Sequence, residues 1–347
     1  MAQAPYLYNR INSRELKRRM LESDEARSTL SFYRYVRIED PAAVRDAFYA
    51  AWSDMGMLGR VYVAQEGVNA QVSLPDAQKE RFIAWVEEQP LLRGIRLNWA
   101  VEDNGKSFFK LKVKVRAKLV ADGLDDASFD PACGGRHLSA AEFNELSSRP
   151  ETLVVDMRNH YESEVGHFEG AICPDVDTFR ESLPLVTEML APYKDRPLIM
   201  YCTGGIRCEK ASAWLRHQGF GQVYQLDGGI IQYARQVREL GLPNKFRGKN
   251  FVFDERLGES ISGEVISHCH QCGQPADSFT NCRNLACNLL FIQCPACAEA
   301  HESCCSEACQ HTLHLPEEEQ ARLRKRQGSL AGVKIFRKGR KRGNEGA

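Results

Sequence analysis

Apolar and polar positions along the first third of the chain follow first a strand-like and then a helix-like rhythm. Residues 1–28 are mostly polar, and Ser13 to Met20, rich in Arg, Lys and Leu, reads as a helical lead-in. From Thr29 the texture changes: Leu30–Phe32–Tyr33–Tyr35–Val36 reads as a strand. Asp40-Pro41 then opens a helix, with Asp40 as N-cap and Pro41 at the first helical position. Arg60–Val63 and Val68–Leu74 are two more strands joined by the turn Gln65-Glu66-Gly67. Pro75 to Glu88 reads as a second helix, and Ile95–Trp99 and Lys110–Val115 complete the set as strands. The order β-α-β-β-α-β, with one extra strand, predicts a ferredoxin-like sandwich. That fold hosts many functions and names none.

Residues 121–136 are turn-rich and acidic, a linker by pattern. From His137 short apolar runs alternate with helical periods. Ser139 caps a helix to Leu146, Leu153–Asp156 is a buried strand, and Phe179–Ala191 is a helix. Pro197–Tyr201 is a second buried strand that runs into Cys202, Cys208–Gln218 a helix ended by Gly219, and Gln222–Leu226 a further strand. This alternation predicts a parallel sheet covered on both faces. After about Gly241 the chain becomes cysteine-rich and then basic.

The chain has 347 residues, 43% apolar and 27% charged, which fits two or three globular domains and excludes a collagen-like or wholly disordered chain. No apolar run approaches the ~18 residues of a membrane span, and no apolar segment follows the basic N-terminus as in a secretory signal. The expected compartment is the reducing cytoplasm, where the 13 cysteines mean metal or catalysis rather than disulfides. Lys plus Arg equals Asp plus Glu at 46 each, so net charge identifies no partner. Distribution says more: ten Lys or Arg and no acid lie between Arg322 and Arg342, a stretch able to touch phosphates or to serve only as a solvated tail.

The segment Cys202-Thr203-Gly204-Gly205-Ile206-Arg207-Cys208 sits between an apolar strand and a helix. A strand end places a side chain in the crevice above a parallel sheet. Loop N–H groups and a helix N-terminus favour an anion there, and Arg207 adds a positive charge. Gly204 and Gly205 let the backbone curl with its N–H groups inward. Each effect lowers a thiol pKa from ~8.5 and predicts a reactive thiolate at Cys202. A lone cysteine at a strand end is ordinarily structural; the glycine pair and the arginine turn this one toward function. Cys208 either faces Cys202 across the loop or packs beneath the helix.

Several stretches here resemble the rhodanese family. Val155 to Glu162 followed by Gly166 to Ala171 is similar to its first signature, Cys202 to Arg207 to its active-site loop, and Gly219-Phe220 with Val223 to Gly229 to its closing signature. The resemblance implies a persulfide-carrying cysteine, and Cys202 is the matching position. Cysteine phosphatases use Cys-x5-Arg; here the arginine comes one residue sooner, and the shorter loop suits a sulfur atom better than a phosphate. His160-Tyr161-Glu162 formally matches half of an iron triad, but it lies inside the signature, where the resemblance implies a structural role.

Nine cysteines fall between Cys269 and Cys309. Cys-x2-Cys pairs at Cys269/Cys272 and Cys294/Cys297 have zinc-ribbon spacing, and a tetrahedral thiolate set suits zinc. The expected first structural zinc site is Cys269, Cys272, Cys294 and Cys297; the second is Cys282, Cys287, Cys304 and Cys309.

The whole arrangement, with Glu66-Gly67-Val68-Asn69-Ala70, Asn250 to Arg256 and His268 to Gly273, resembles the rhodanese-domain tRNA uridine hydroxylases of bacteria. The domains expected are a ferredoxin-like (acylphosphatase-like) domain with its helical lead-in over 1–120, a linker at 121–136, a rhodanese-like domain over 137–240, a Cys-rich zinc-binding segment over 241–315 and a basic tail over 316–347. The resemblance implies a tRNA-modifying oxidoreductase. It would hydroxylate the wobble uridine at C5 to 5-hydroxyuridine, with molecular oxygen as co-substrate and an electron donor that no motif specifies. Cys202 and Arg207 would be catalytic, within the loop Thr203, Gly204, Gly205, Ile206 and Cys208. The residues read without the resemblance stop at a persulfide-forming sulfurtransferase using thiosulfate or a related donor. A third reading, a non-catalytic RNA- or protein-binding module, predicts indifference to loss of Cys202. Lys112, Lys114 and Arg116 share one face of a strand and make the first domain a candidate surface for tRNA.

Overall fold

A computed structural model of the protein describes residues 11–124, 129–130 and 133–328. The lead-in is helix α1 (Ser13–Glu22). Then follow β1 (Arg27–Tyr35), α2 (Pro41–Asp54), β2 (Leu58–Ala64), β3 (Gly67–Pro75), α3 (Lys79–Glu88), β4 (Asn98–Trp99) and β5 (Leu111–Val115). Asp40 caps α2 as its sequence predicts, its carboxylate accepting the N–H groups of Ala42 and Ala43 at 3.0 Å each. The sheet order is β4-β1-β3-β2-β5. Only the β2–β5 pair is parallel, so β5 is the extra strand added to the ferredoxin-like four. The strand expected over Ile95–Trp99 shrinks to two residues because a turn occupies 90–94.

Alternation gives this sheet two different faces. Leu30, Phe32, Val61, Val63, Ala70 and Val72 pack under the helices against Phe48, Trp52 and Phe82. Burying one such large apolar side chain stabilises the fold by about 1.5–3 kcal/mol. Ser31 stands opposite Gln71 and Asn98, and Tyr33 opposite Asn69, so these polar residues share the other face, the one turned away from α2 and α3.

The central unit contains β6 (Arg136–Leu138), α4 (Ala140–Ser147), β7 (Leu153–Asp156), α5 (His160–Glu164), β8 (Gly166–Phe168), α6 (Phe179–Leu190), β9 (Leu198–Tyr201), α7 (Ile206–His217), β10 (Val223–Leu226) and α8 (Gly229–Leu240). Ser139 closes a capping box with Glu142 at the start of α4. Four strands form a parallel sheet in the order β6-β10-β9-β7. Leu183, Val186 and Leu215 cover one face; Phe143, Ile230 and Tyr233 cover the other. The architecture is thus ferredoxin-like plus rhodanese-like α/β. The periodicity missed β6, α5, β8 and α8, all short or opened by glycine.

The chain then adds β11 (Phe246–Asn250), β12 (Glu259–Ser260), β13 (Phe279–Asn281), β14 (Leu290–Ile292), α9 (Pro295–Ala300), α10 (Glu307–Leu313) and α11 (Glu317–Gly328). β11 pairs antiparallel with β8, so this segment begins as part of a small sheet shared with the central unit. The first third of the expected basic tail is helical as α11. The basic run Arg337 to Arg342 lies outside the described residues. Among the described residues no helix is long and apolar enough to cross a membrane.

Candidate active site

Cys202 follows the last residue of β9, and its loop wraps the sulfur with donors. The Gly205 N–H reaches the Cys202 Sγ at 3.2 Å. Gly205 has φ +101°, and a Cβ there would lie 2.6 Å from the Tyr33 hydroxyl, so both the turn and the close approach require glycine. The carbonyls of Cys202 and Thr203 face away and accept the N–H groups of Ile230 and Ile231, at 3.0 and 3.2 Å, at the start of α8. Gly229 permits this contact, since a Cβ on it would meet the Cys202 carbonyl oxygen at 2.4 Å.

Burial by itself pushes the Cys202 thiol up. A hydrogen bond from the Cys208 thiol, the Arg207 charge and the N–H groups of Arg207 and Gly205 outweigh it and bring the pKa down to about 6. Cys208, buried in the first turn of α7, has its own pKa pushed well up by burial and by that thiolate. Of the two thiols, Cys202 is the one held as the anion.

Arg207 does not stand alone. Its guanidinium makes two hydrogen bonds to Glu162 of α5, at 2.5 and 2.8 Å, with Glu162 wholly buried. The neighbouring His160 Nδ1 lies 3.0 Å from the Val176 carbonyl oxygen and 3.1 Å from Asp177. Glu162 of the His-Tyr-Glu stretch thereby holds the arginine of the loop, while His160 faces the 176–177 segment. Glu162 is a site residue that sequence reading passed over.

The polar sheet face of the first domain roofs this loop. Tyr33 donates to Glu209 at 2.9 Å and Tyr35 to the Ile206 carbonyl at 3.3 Å. Buried Lys210 joins Glu66 at 2.9 Å and Asp122 at 2.5 Å, and Arg96 grips Asp227 at 2.5 and 2.6 Å. Between roof and loop lies a cavity of about 630 Å3, within the ~300–1,000 Å3 usual for small-ligand sites. Ser31, Tyr33, Asn69, Gln71 and Asn98 line its roof, and Cys202, Thr203, Gly204, Ile206 and Arg207 its floor. Phe108, Tyr161, Phe179 and Phe253 supply aromatic walls.

Two cysteine clusters lie away from this cavity. The thiols of Cys269, Cys272, Cys294 and Cys297 fall within 4.8 Å of one another, the set that spacing predicts. The second cluster is Cys282, Cys287, Cys305 and Cys309. The expectation for Cys304 is corrected: its side chain is fully buried against Phe291, and adjacent Cys305 takes the place. The backbone just before this pair is left-handed at Glu302 and Ser303, φ 49° and 58°, with no glycine to mark the turn in the sequence. The donor chemistry fits zinc. Cys272–Cys294, Cys287–Cys305 and Cys305–Cys309 sulfurs are each 3.7 Å apart. A tetrahedron with Zn–S of ~2.3 Å has edges of about 3.8 Å, whereas a disulfide is ~2.05 Å.

Family models match almost end to end: a UPF0176 acylphosphatase-like domain over residues 27–119, a rhodanese-like domain over 139–236 and a rhodanese C-terminal region over 247–310. A curated relative from Cronobacter sakazakii, named tRNA uridine(34) hydroxylase, is 55% identical over 341 residues, 98% of this chain and 97% of its own length. A Yersinia pestis protein of the same name is 56% identical over 335 residues, 96% of this chain and 94% of its own. With a relative this similar over nearly all of both chains, the chain belongs to the tRNA uridine(34) hydroxylase family.

Proposed function

We propose that this protein hydroxylates the wobble uridine of tRNA, position 34, at C5 to give 5-hydroxyuridine, with Cys202 as the residue that engages the base. The observation that carries the reading is a low-pKa thiolate on the floor of an aromatic-walled cavity roofed by a polar sheet. An enzyme that works on a base draws it out of its stack into such a pocket, and a base in a single-stranded loop leaves its stack most easily. The names of the near-full-length relatives support the same reaction.

In the overall change one oxygen atom of O2 enters the C5–H bond. The other leaves as water, with two electrons and two protons supplied by a reductant. The Cys202 sulfur adds to C6 of uracil, and the electron pair of the C5–C6 bond moves onto C5 and O4. C5 then attacks oxygen reduced to the peroxide level, whose O–O bond breaks. Loss of the C5 proton and cleavage of the C6–S bond return the double bond and the thiolate. Arg207 stabilises the thiolate charge through space. The two four-cysteine clusters hold structural zinc, which cross-links a segment too small to keep its shape otherwise. The reaction places the enzyme with its tRNA substrate in the cytoplasm.

The test is nucleoside mass analysis of bulk tRNA from cells lacking the gene. Wild type restores 5-hydroxyuridine and its derivatives, and Cys202→Ala does not. Restoration by Cys202→Ala overturns the reading. Thiocyanate formation from thiosulfate and cyanide, without tRNA, would favour sulfur transfer instead.

A further inference from the structure

We infer that Asn98 reads the imide edge of the uracil, its Oδ1 accepting the N3–H of the base that lies over Cys202; the inference rests on the uridine reading above. Asn98 is 3% exposed and lines the cavity, and its Oδ1 accepts no hydrogen bond within the protein. Buried acceptors are almost always paired, so an unpaired one on a residue that lines a ligand cavity points to a donor on the ligand.

The position is fixed by the sheet. Asn98 stands directly opposite Ser31 on β1, which stands opposite Gln71 on β3. The three form one row across the cavity roof, about 4.8 Å from strand to strand. Below them, Thr203, next to Cys202, carries a buried hydroxyl that is also unpartnered. The walls between are aromatic and apolar: Phe108, Phe179 and Phe253. A flat ring with a polar edge fits this arrangement, ring against the walls and edge against the roof.

Uracil presents N3–H, a donor, between two carbonyl acceptors. An amide oxygen accepts that hydrogen, and the Gln71 amide and the Thr203 hydroxyl, which also line the cavity, are groups able to donate to carbonyls. Cytosine carries no hydrogen on N3, so the same oxygen would face a lone pair. The roof residues therefore select the base while Cys202 acts on it, which divides recognition and chemistry between two domains.

The test uses full-length protein and three anticodon stem–loop RNAs bearing uridine, cytidine or 3-methyluridine at the wobble position. Wild type should bind the uridine loop more tightly than either other loop by roughly tenfold to a hundredfold, the range for one buried hydrogen bond. Asn98→Ala should shrink that preference to about threefold or less while leaving the 3-methyluridine loop bound as before, a residual that reflects other contacts. The methylated RNA probes the same contact in unaltered protein, so the inference stays testable if Asn98→Ala folds poorly. Equal binding of all three loops by wild type, or an undiminished preference in Asn98→Ala, overturns it. Nucleoside analysis of the same samples separates the two failures. Hydroxylated product with an undiminished preference removes only the role of Asn98. No product and no preference removes the uridine reading as well.

Discussion

Arg207 and Glu162 form a buried ion pair directly beneath the Cys202 loop, with both guanidinium N–H prongs on one carboxylate. The pair ties the first turn of α7 to α5, and so fixes the loop's arginine to the first rhodanese signature. It also moderates the electrostatics, because part of the arginine charge is answered by Glu162 before Cys202 feels it. Glu162→Gln keeps the shape and removes that answer. Leaving a buried charge uncompensated costs about 3–5 kcal/mol, to be read as lost stability in urea unfolding. The surviving folded protein should hold Cys202 as a thiolate to lower pH than wild type, by peptide-resolved alkylation. Unchanged stability would mean that Arg207 is satisfied some other way.

The pKa of Cys202, about 6 in the fold, lies below that of a free thiol, ~8.5. A lowered value means that the thiolate predominates above pH 6 and is lost below it. Single-turnover hydroxylation should therefore rise as pH climbs through about 6 and level off. The same depression stabilises the fold in full above the free-thiol value, and this contribution fades as pH falls through about 6. Cys202→Ser should flatten that part of the stability profile. An activity profile with no inflection near this pH would contradict a thiolate mechanism.

Cys208 is buried in the same core cluster as Cys202, and its thiol helps to lower the Cys202 pKa. A hydrogen bond to a charged group contributes ~1.5–3 kcal/mol, or about one to two pKa units. Cys208→Ala should raise the Cys202 alkylation midpoint by that amount and slow hydroxylation near neutral pH, with activity recovering as pH is raised. A midpoint left near 6 would show that Arg207 and the loop N–H groups suffice.

Lys112 and Lys114 lie exposed on β5, with Arg60 of β2 beside Lys112 in register. Burial and repulsion from Lys110, Lys114 and Arg60 hold the Lys112 ammonium below its usual pKa, the mark of crowded cations. Their face of the sheet is the one that carries Gln71 and Asn69 into the cavity roof. A phosphate backbone laid on this edge would bring its loop toward Cys202. Reversing Lys112, Lys114 and Arg116 to Glu should weaken tRNA binding and flatten its salt dependence by about one unit of slope for each phosphate no longer neutralised. Unaltered affinity at low salt would remove this edge from the docking surface.

Local signals were legible in the sequence, and long-range ones were not. Asp40 and Ser139 cap their helices through bonds that span three residues, so spacing alone located them. The Cys202 loop was legible for the same reason: strand, glycines and arginine are contiguous. Ser31, Asn69 and Gln71 stand on the sheet face away from the core, and nothing local says what that face meets. The roof over Cys202 depends on Tyr33, Lys210 and Arg96 contacts between residues more than a hundred positions apart. Glu162 was hidden likewise, 45 residues before its partner.

The adjacent cysteines at 304 and 305 turn this distinction into a measurement. Spacing cannot choose between neighbours, because the choice depends on how the backbone turns just before them, left-handed here at Glu302 and Ser303. With the Cys305 sulfur 3.7 Å from both Cys287 and Cys309, it belongs to the thiol tetrahedron, while Cys304 is packed in the small core against Phe291. Native mass spectrometry of the wild type should find two zinc ions, one for each cluster. Cys305→Ala should lose one of them and open the segment around α10 to proteolysis, since ligand loss in such a site is loss of folding energy. Cys304→Ala should keep both and lower stability only by the small cost of a missing buried sulfur. Metal lost from Cys304→Ala and kept in Cys305→Ala would restore Cys304 as the ligand.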